Sequence, residues 1–476
     1  MSITAQHLVR LLTGALLASL LPAAALAQMT AKIVRITGNP QQATITAPGG
    51  TRSAAAVNLP IAEGSVIETG DRVDVYVETF PGAVATIRQN SRVKLAGLRL
   101  LSVGADAGKR SAELELERGK IISTLDSSKQ AITKFGIRTP RGVAAARGTV
   151  YGVSAVANGT SAFVVDGNIV IDLGGGQTIA IPYGQAALNN AGSAAALATL
   201  VASSPELAAD LLVAVQTLAA NVAGNTSAVG GPEVATAMLQ AVTTAVVTAL
   251  PGQAGYVVQT LVQAAVTPGS ATSGSTQTML NAVSAITAAA VQAVNRAGGT
   301  LTQSSAAAQG AAQAVAQVAP GGSGGTTVLG LLSVIGDVAT ASAIQGTGGP
   351  NAAGIATTIA AAVNTGAATG TTGGTPPTVT ITQTPNQASN SILITTTATA
   401  GGANATSTTT LSNAGVGPVT TQISGPGGTS TSTTTPPTGA AGGNNVVTPP
   451  APQQGQPTIT PFTPIDPAAN VSPNNF

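Results

Sequence analysis

Almost all the fixed charge of this chain lies in one third of its length, and that distribution decides where a conventional core can form. Residues 29 to 190 carry 17 Lys and Arg against 12 Asp and Glu, a net +5. Everything beyond holds Arg296 against Glu206, Asp210, Glu233, Asp337 and Asp466, a net −4. Six of the nine aromatic residues, Tyr76, Phe80, Phe135, Tyr151, Phe163 and Tyr183, fall in the same charged stretch. Its positive excess is spread among acids rather than clustered, so nucleic acid is not an expected partner.

The first 28 residues, MSITAQHLVRLLTGALLASLLPAAALAQ, place Arg10 before an apolar run from Leu11 to Leu21 and end in the small-x-small pattern of Ala25, Leu26 and Ala27. This succession is that of a secretory signal, residues 1–27, cleaved before Gln28. The apolar run is too short to span a bilayer, which takes about 20 residues. No cysteine is present for a lipid anchor or a disulfide, and the single histidine, His7, lies within the signal. A mature chain without His, Cys or Trp lacks the parts of histidine-dependent proteases, of imidazole or thiolate zinc sites and of haem sites with those ligands. Neither an enzyme activity nor a cofactor is expected.

Residues 28–190 read as a domain long enough to bury about 70% of its unfolded surface. Short β-favouring runs recur between Gly, Pro, Asn and Asp: 32–37, 64–68, 73–79, 83–88, 92–95, 112–116, 120–125, 135–139, 149–156, 161–165, 168–173 and 177–182. About a dozen short strands with no helical period between them predict an all-β fold, a sandwich, roll or short solenoid.

From 191 to 365 the composition shifts to Ala, Val, Thr and Gln, with apolar residues at helical spacing, as in Leu207, Leu211, Val215 and Leu218 or Met279, Val283, Ile286, Ala290 and Val294. Ser204-Pro205-Glu206 and Gly231-Pro232-Glu233 are helix starts. The expectation is an Ala-rich, repeat-like helical region of low complexity, weakly packed or stalk-like. Residues 328–344 form the most apolar run, but Asp337 interrupts it, and an acid at mid-bilayer costs about 2.5 to 3.5 kcal/mol; no integral membrane span is expected. Residues 366–476, rich in Thr, Pro, Gly, Ser and Asn, read as a disordered tail. Within it, 378–382 and 391–395 have the pattern of two strands.

Several segments carry a family signature. IAEGSVIETGDRVDVYVETFPGAVATIRQNSRVKL at 61–95, LELERGKII at 114–122, FGIRTPRGVAAARGTVYGV at 135–153, VDGNIV at 165–170 and YGQ at 183–185 resemble the successive strands and turns of the FecR domain. The most discriminating stretch runs from Thr139 to Tyr151, T-P-x-G-x-x-x-x-x-G-T-x-Y. The resemblance implies an extracytoplasmic module of regulators that relay a signal from an iron-siderophore receptor to a sigma factor. This sequence departs from those regulators in having no cytoplasmic anti-sigma segment and no internal span, so a relay across the inner membrane by this polypeptide alone is not expected. Physically the motif reads as fold-defining. Thr139 before Pro140 is biased to extended backbone, Gly142 and Gly148 suit turns, and Thr149 leads into a strand on which Val150 and Tyr151 can pack.

Two charge clusters invite chemistry. Glu113, Glu115 and Glu117 alternate with Leu114 and Leu116, which on a strand puts the three carboxylates on one face. Flanking Lys109, Arg110, Arg118 and Lys120 favour cross-strand ion pairs over calcium binding or acid-base work. Arg138, Arg141 and Arg147 form the densest positive stretch and are read as solvated or locally paired. The expected role is that of an exported, non-enzymatic binding or scaffolding module of the bacterial envelope, periplasmic, at the cell surface or extracellular, with a protein or envelope component as partner. The alternative is an accessory of cell-surface signalling. N-terminal sequencing of exported material should yield Gln28; a full-length cytoplasmic product would contradict the reading.

Overall fold

The computed structural model describes residues 30–434, apart from short segments at 101–107, 147, 157–158, 175, 319–324, 348–350, 372–373, 387–390, 413–414 and 426–427. Seventeen strands come first: β1 (Ala31–Thr37), β2 (Ala43–Thr46), β3 (Arg52–Ala54), β4 (Pro60–Ile61), β5 (Val66–Thr69), β6 (Asp74–Phe80), β7 (Ala83–Ile87), β8 (Arg92–Leu100) and β9 (Arg110–Leu125), then β10 (Thr133–Thr139), β11 (Gly142–Ala146), β12 (Val150–Val156), β13 (Gly159–Asp166), β14 (Ile169–Asp172), β15 (Thr178–Ile181), β16 (Gln185–Ala187) and β17 (Ala195–Ala196). Their hydrogen bonds form one connected 17-stranded sheet folded into two layers. The inner layer runs β4-β1-β6-β7-β9-β12-β13-β16-β17. The outer layer runs β3-β2-β5-β8-β9-β10-β11-β14-β15, with β9 and β10 its one parallel pair.

Strand β9 belongs to both layers. Its first half pairs with β8 and β10, its second with β7 and β12. The changeover falls at Gly119, whose φ of +94° is a conformation open to glycine and whose added Cβ would lie 2.6 Å from the Ser91 Cα. The bend also reverses the alternation. Leu114 and Leu116 point into the core before it, Ile121 and Leu125 after it, and all four are fully buried. The strands expected separately at 112–116 and 120–125 are therefore one element.

Helices follow: α1 (Leu197–Leu200), α2 (Pro205–Ala223), α3 (Pro232–Ala249), α4 (Ala254–Val266), α5 (Thr276–Arg296), α6 (Leu301–Val318), α7 (Thr326–Thr347) and α8 (Ala352–Gly370). Helix α2 starts as expected, Ser204 accepting a hydrogen bond from the Leu207 amide at 3.3 Å with Pro205 and Glu206 in the first turn. Gly231, at the start of α3, makes no side-chain cap.

The helices are not a loose stalk. Even-numbered α2, α4, α6 and α8 line up as one layer and α3, α5 and α7 as a second, closest contact being to the next helix but one. Small residues allow this. A Cβ added at Gly366 or Gly370 on α8 would strike the Gln309 or Gln313 carbonyl of α6. Backbones at such range gain the dispersion contacts that bulkier side chains supply in other cores.

The two strands expected at 378–382 and 391–395 are present, and the tail holds more order than the sequence suggests. Strands β18 (Thr378–Asn386), β19 (Ser391–Ala400), β20 (Ala403–Ser412), β21 (Gly415–Val416), β22 (Val419–Gly425) and β23 (Gly428–Thr434) form a second sheet, ordered β18-β19-β20-β22-β23 with β21 on β20. The disorder reading of 366–434 is corrected: alternating Val379, Ile394, Ala398, Ala405 and Ile423 are buried and join the core of the helices. That apolar face meets α7, which the sequence could not reveal as a partner. The remainder of the disorder reading, 435–476, lies outside the described residues.

Two described helices, Pro205–Ala223 and Thr326–Thr347, are long and apolar enough to cross a membrane by length and composition. The second is α7, buried on every side because α5, α6, α8 and the second sheet surround it. Asp337 lies in its middle, fully buried, its Oδ1 accepting from the Thr396 hydroxyl at 3.4 Å and its Oδ2 without a partner among the described residues. Burial pushes this carboxyl well above its ordinary 3.8. A carboxyl raised in the folded chain holds its proton there while the unfolded chain has released it, so its stabilising contribution is complete below the ordinary pKa and falls as pH rises. Wild-type melting temperature should therefore decline from pH 5 to pH 8, and Asp337→Asn should melt higher than wild type at pH 8 with a shallower decline. An unchanged slope would show that the carboxyl is hydrated.

Candidate functional site

The Thr139–Tyr151 motif turns β10 into β11 and then carries the chain from the outer layer to the inner one. The Thr139 hydroxyl donates to the Gly142 carbonyl at 3.0 Å, lies 2.6 Å from the Thr160 hydroxyl and accepts from the Arg141 amide at 3.3 Å. Pro140 and Arg141 are the two hairpin residues between paired Thr139 and Gly142. Gly142 does not have the positive φ of a turn glycine; a Cβ there would sit 2.7 Å from the Asp172 carbonyl, so close approach of β14 excludes a side chain. Gly148 does have it, at +60°, with a Cβ position 2.6 Å from the Ser127 Cα. Thr149 is buried and its carbonyl accepts from the Leu125 amide at 2.9 Å. Tyr151 fills the sandwich core, where burial raises its hydroxyl pKa. None of these six residues lines the cavity described below.

The carboxylates of β9 turn to different partners. Glu113 is buried against Arg138, 2.5 Å away across the parallel pair. Glu117 meets Arg92 at 2.6 Å, Arg92 also reaches Glu68 at 2.6 Å, and Arg52 joins Glu68 at 3.3 Å. The register sets Lys94 opposite Glu115. A ladder of alternating charge thus crosses the solvent face of the outer layer, with Arg52 and Arg118 about two-thirds exposed. Of the arginine cluster, Arg138 is paired, Arg141 is exposed in its turn, and Arg147 lies outside the described residues.

The face of the inner layer opposite the sandwich core is covered. Ile122, Val150, Phe163 and Val165 join the core of the helices, so the sandwich and helical region share a buried seam. Polar contacts cross it: Asn221 Nδ2 donates to the Thr124 hydroxyl at 3.0 Å, the Ser227 hydroxyl to Glu78, and the Tyr183 hydroxyl to the Ala241 carbonyl at 3.0 Å. At one end lies a cavity of about 80 Å³ lined by Lys120, Ser154, Ser161, Asn189, Glu206 and Asp210. Lys120 Nζ bridges both oxygens of Asp210 at 2.8 and 2.9 Å. Burial raises the Asp210 carboxyl and Lys120 opposes that shift. The space admits a few waters, against the roughly 300–1,000 Å³ of small-molecule sites. Sequence reading missed this pair because its members are 90 residues apart.

Comparison with known proteins agrees with the segment that bears the motif. The family described as FecR protein matches residues 65–170. No curated protein matches the chain. Two crystal structures of a candidate anti-sigma factor from Parabacteroides distasonis ATCC 8503 are similar to part of it, each at 15% identity. The first match covers 24% of this chain and 50% of the other at a TM-score of 0.18, the second 26% and 54% at 0.19. The chain therefore spans about half the length of these solved relatives.

Gly148→Ala should lower stability by about 1 kcal/mol or more, since alanine resists positive φ and Ser127 leaves no room for its methyl. Chemical denaturation measures the loss; an unchanged midpoint would show that the crossover relaxes around the methyl.

Proposed function

We propose that this is an exported, non-enzymatic protein of the bacterial envelope whose FecR-like domain is a binding or scaffolding module, engaging a protein or other envelope component through the charged face of the outer layer. The observation that carries this is which surfaces remain free. Of the domain's six aromatic residues, Tyr76, Phe80, Phe135, Tyr151 and Phe163 are buried, and the half-buried Tyr183 packs against the helices with its hydroxyl donating to the Ala241 carbonyl. The inner layer is occupied by helices. Among what the domain offers to solvent is the Arg52, Glu68, Arg92, Glu117 and Arg118 ladder, a set of mutually oriented charges suited to a partner of complementary pattern. Such exposed pairs add little to stability, which leaves recognition as their larger contribution.

The FecR match supports a signalling-related envelope protein, and an accessory place in cell-surface signalling is the second reading. Recovery of an outer-membrane receptor as the partner would favour signalling; secretion or surface-polymer components would favour scaffolding. Mature protein immobilised and exposed to envelope fractions should retain a partner whose binding weakens with added salt and drops about tenfold or more in Arg52→Glu/Arg118→Glu. Retention indifferent to this charge reversal would place recognition on another surface.

A further inference from the structure

The second sheet turns one face to α7 and the other to solvent, and the solvent face is a two-dimensional array of threonine. Strand register aligns Thr382, Thr395, Thr408, Thr420 and Thr433 in one row across β18, β19, β20, β22 and β23. The adjacent row is Thr380, Thr397, Thr406, Gln422 and Thr431. Four of the five strands thus present Thr-x-Thr, and all ten side chains are exposed or half-exposed. By sheet geometry these positions repeat about every 4.8 Å across the strands and about every 6.8 Å along them.

Three properties of this face select its ligand. It is neutral: residues 338 to 465 contain no Asp, Glu, Lys, Arg or His. No aromatic residue lies between 338 and 461, so stacking on sugar rings or planar groups is excluded there. And its hydroxyls are held in place, because a β-branched side chain on a strand has restricted χ1, and the Thr397 and Thr406 hydroxyls lie 3.3 Å apart. A fixed, neutral, periodic array of hydroxyl and methyl groups matches a ligand that is itself neutral, periodic and made of hydrogen-bonding groups. Water in crystalline form is such a ligand. Ordered water bridging the hydroxyl rows costs little entropy when the rows are already rigid, and many weak contacts then act over the whole face.

We propose that this threonine face, Thr380/Thr382 on β18 through Thr431/Thr433 on β23, adsorbs the protein to ice. The proposal is independent of the FecR-domain reading, since it concerns the opposite end of the molecule.

The test freezes dilute, fluorescently labelled mature protein slowly onto a cold finger and compares ice with remaining liquid. Wild type should enter the ice about tenfold more than an unrelated labelled control of similar size, and should slow ice recrystallisation. Thr395→Lys and Thr408→Lys, at the centre of the array, and Thr382→Lys, on its edge strand, should each fall to the control level while keeping wild-type circular dichroism and melting temperature. Exclusion of wild type from ice overturns the proposal, as does equal incorporation of all three folded variants. Retention on an insoluble neutral polysaccharide together with exclusion from ice also overturns it and assigns the face to a glycan.

Discussion

The bend of β9 at Gly119 is the constraint on which the rest of the molecule depends. A 16-residue strand cannot keep one alternation of side chains and still belong to two facing layers, because the inward direction reverses between them. A single residue at positive φ supplies the reversal. Leu114, Leu116, Ile121 and Leu125 then share one core, while Ile122 and Thr124 face the other way and become part of the surface on which α2 settles. Lys120, one residue past the bend, reaches Asp210 on α2. The sandwich, its seam with the helices and the small polar cavity at the seam follow from one backbone conformation.

Beyond the seam, the chain solves a different problem. It has few large side chains and almost no charge, so neither bulky interdigitation nor ion pairs can hold its helices. Close backbone approach replaces them. Gly255 on α4 has the Ala306 carbonyl 3.0 Å from its Cβ position, and the glycines of α8 stand in the same relation to α6. A stacked array of this kind leaves an apolar face open at each end. Here the FecR-like sandwich closes one end and the second sheet closes the other, both being β-structures that spend one face on helices and keep one in water.

The FecR-like motif was legible because it is local chemistry. Proline at 140, glycine at 148 and the apolar pair Val150 and Tyr151 specify a hairpin, a crossover and a strand within a dozen residues. Gly142 was legible as a required glycine but for another reason, since its neighbour Asp172 comes from a strand 30 residues away. The ion-pair reading of Glu113 and Glu117 followed from their alternation and basic flanks; their particular arginines on β10 and β8 followed from register.

By itself the sequence determined the strand-rich first domain, the helices after it with the Ser204 cap and their buried stripes, and a composition without cysteine and with His7 as its single histidine. Each is a property of spacing or composition within a window of a few turns. Tertiary structure alone decided that the helices pack as two layers rather than extend as a stalk, that the two strands legible at 378–382 and 391–395 are continued by further strands into a sheet, and that domain and helices share a core. Beyond those two strands, alternating threonine with a sparse set of Val, Ile and Ala is too weakly apolar to signal order unaided. It becomes ordered because α7 presents a complementary face at which Gly330 and Gly336 let Ile423 and Thr396 approach, a contact no local pattern can encode.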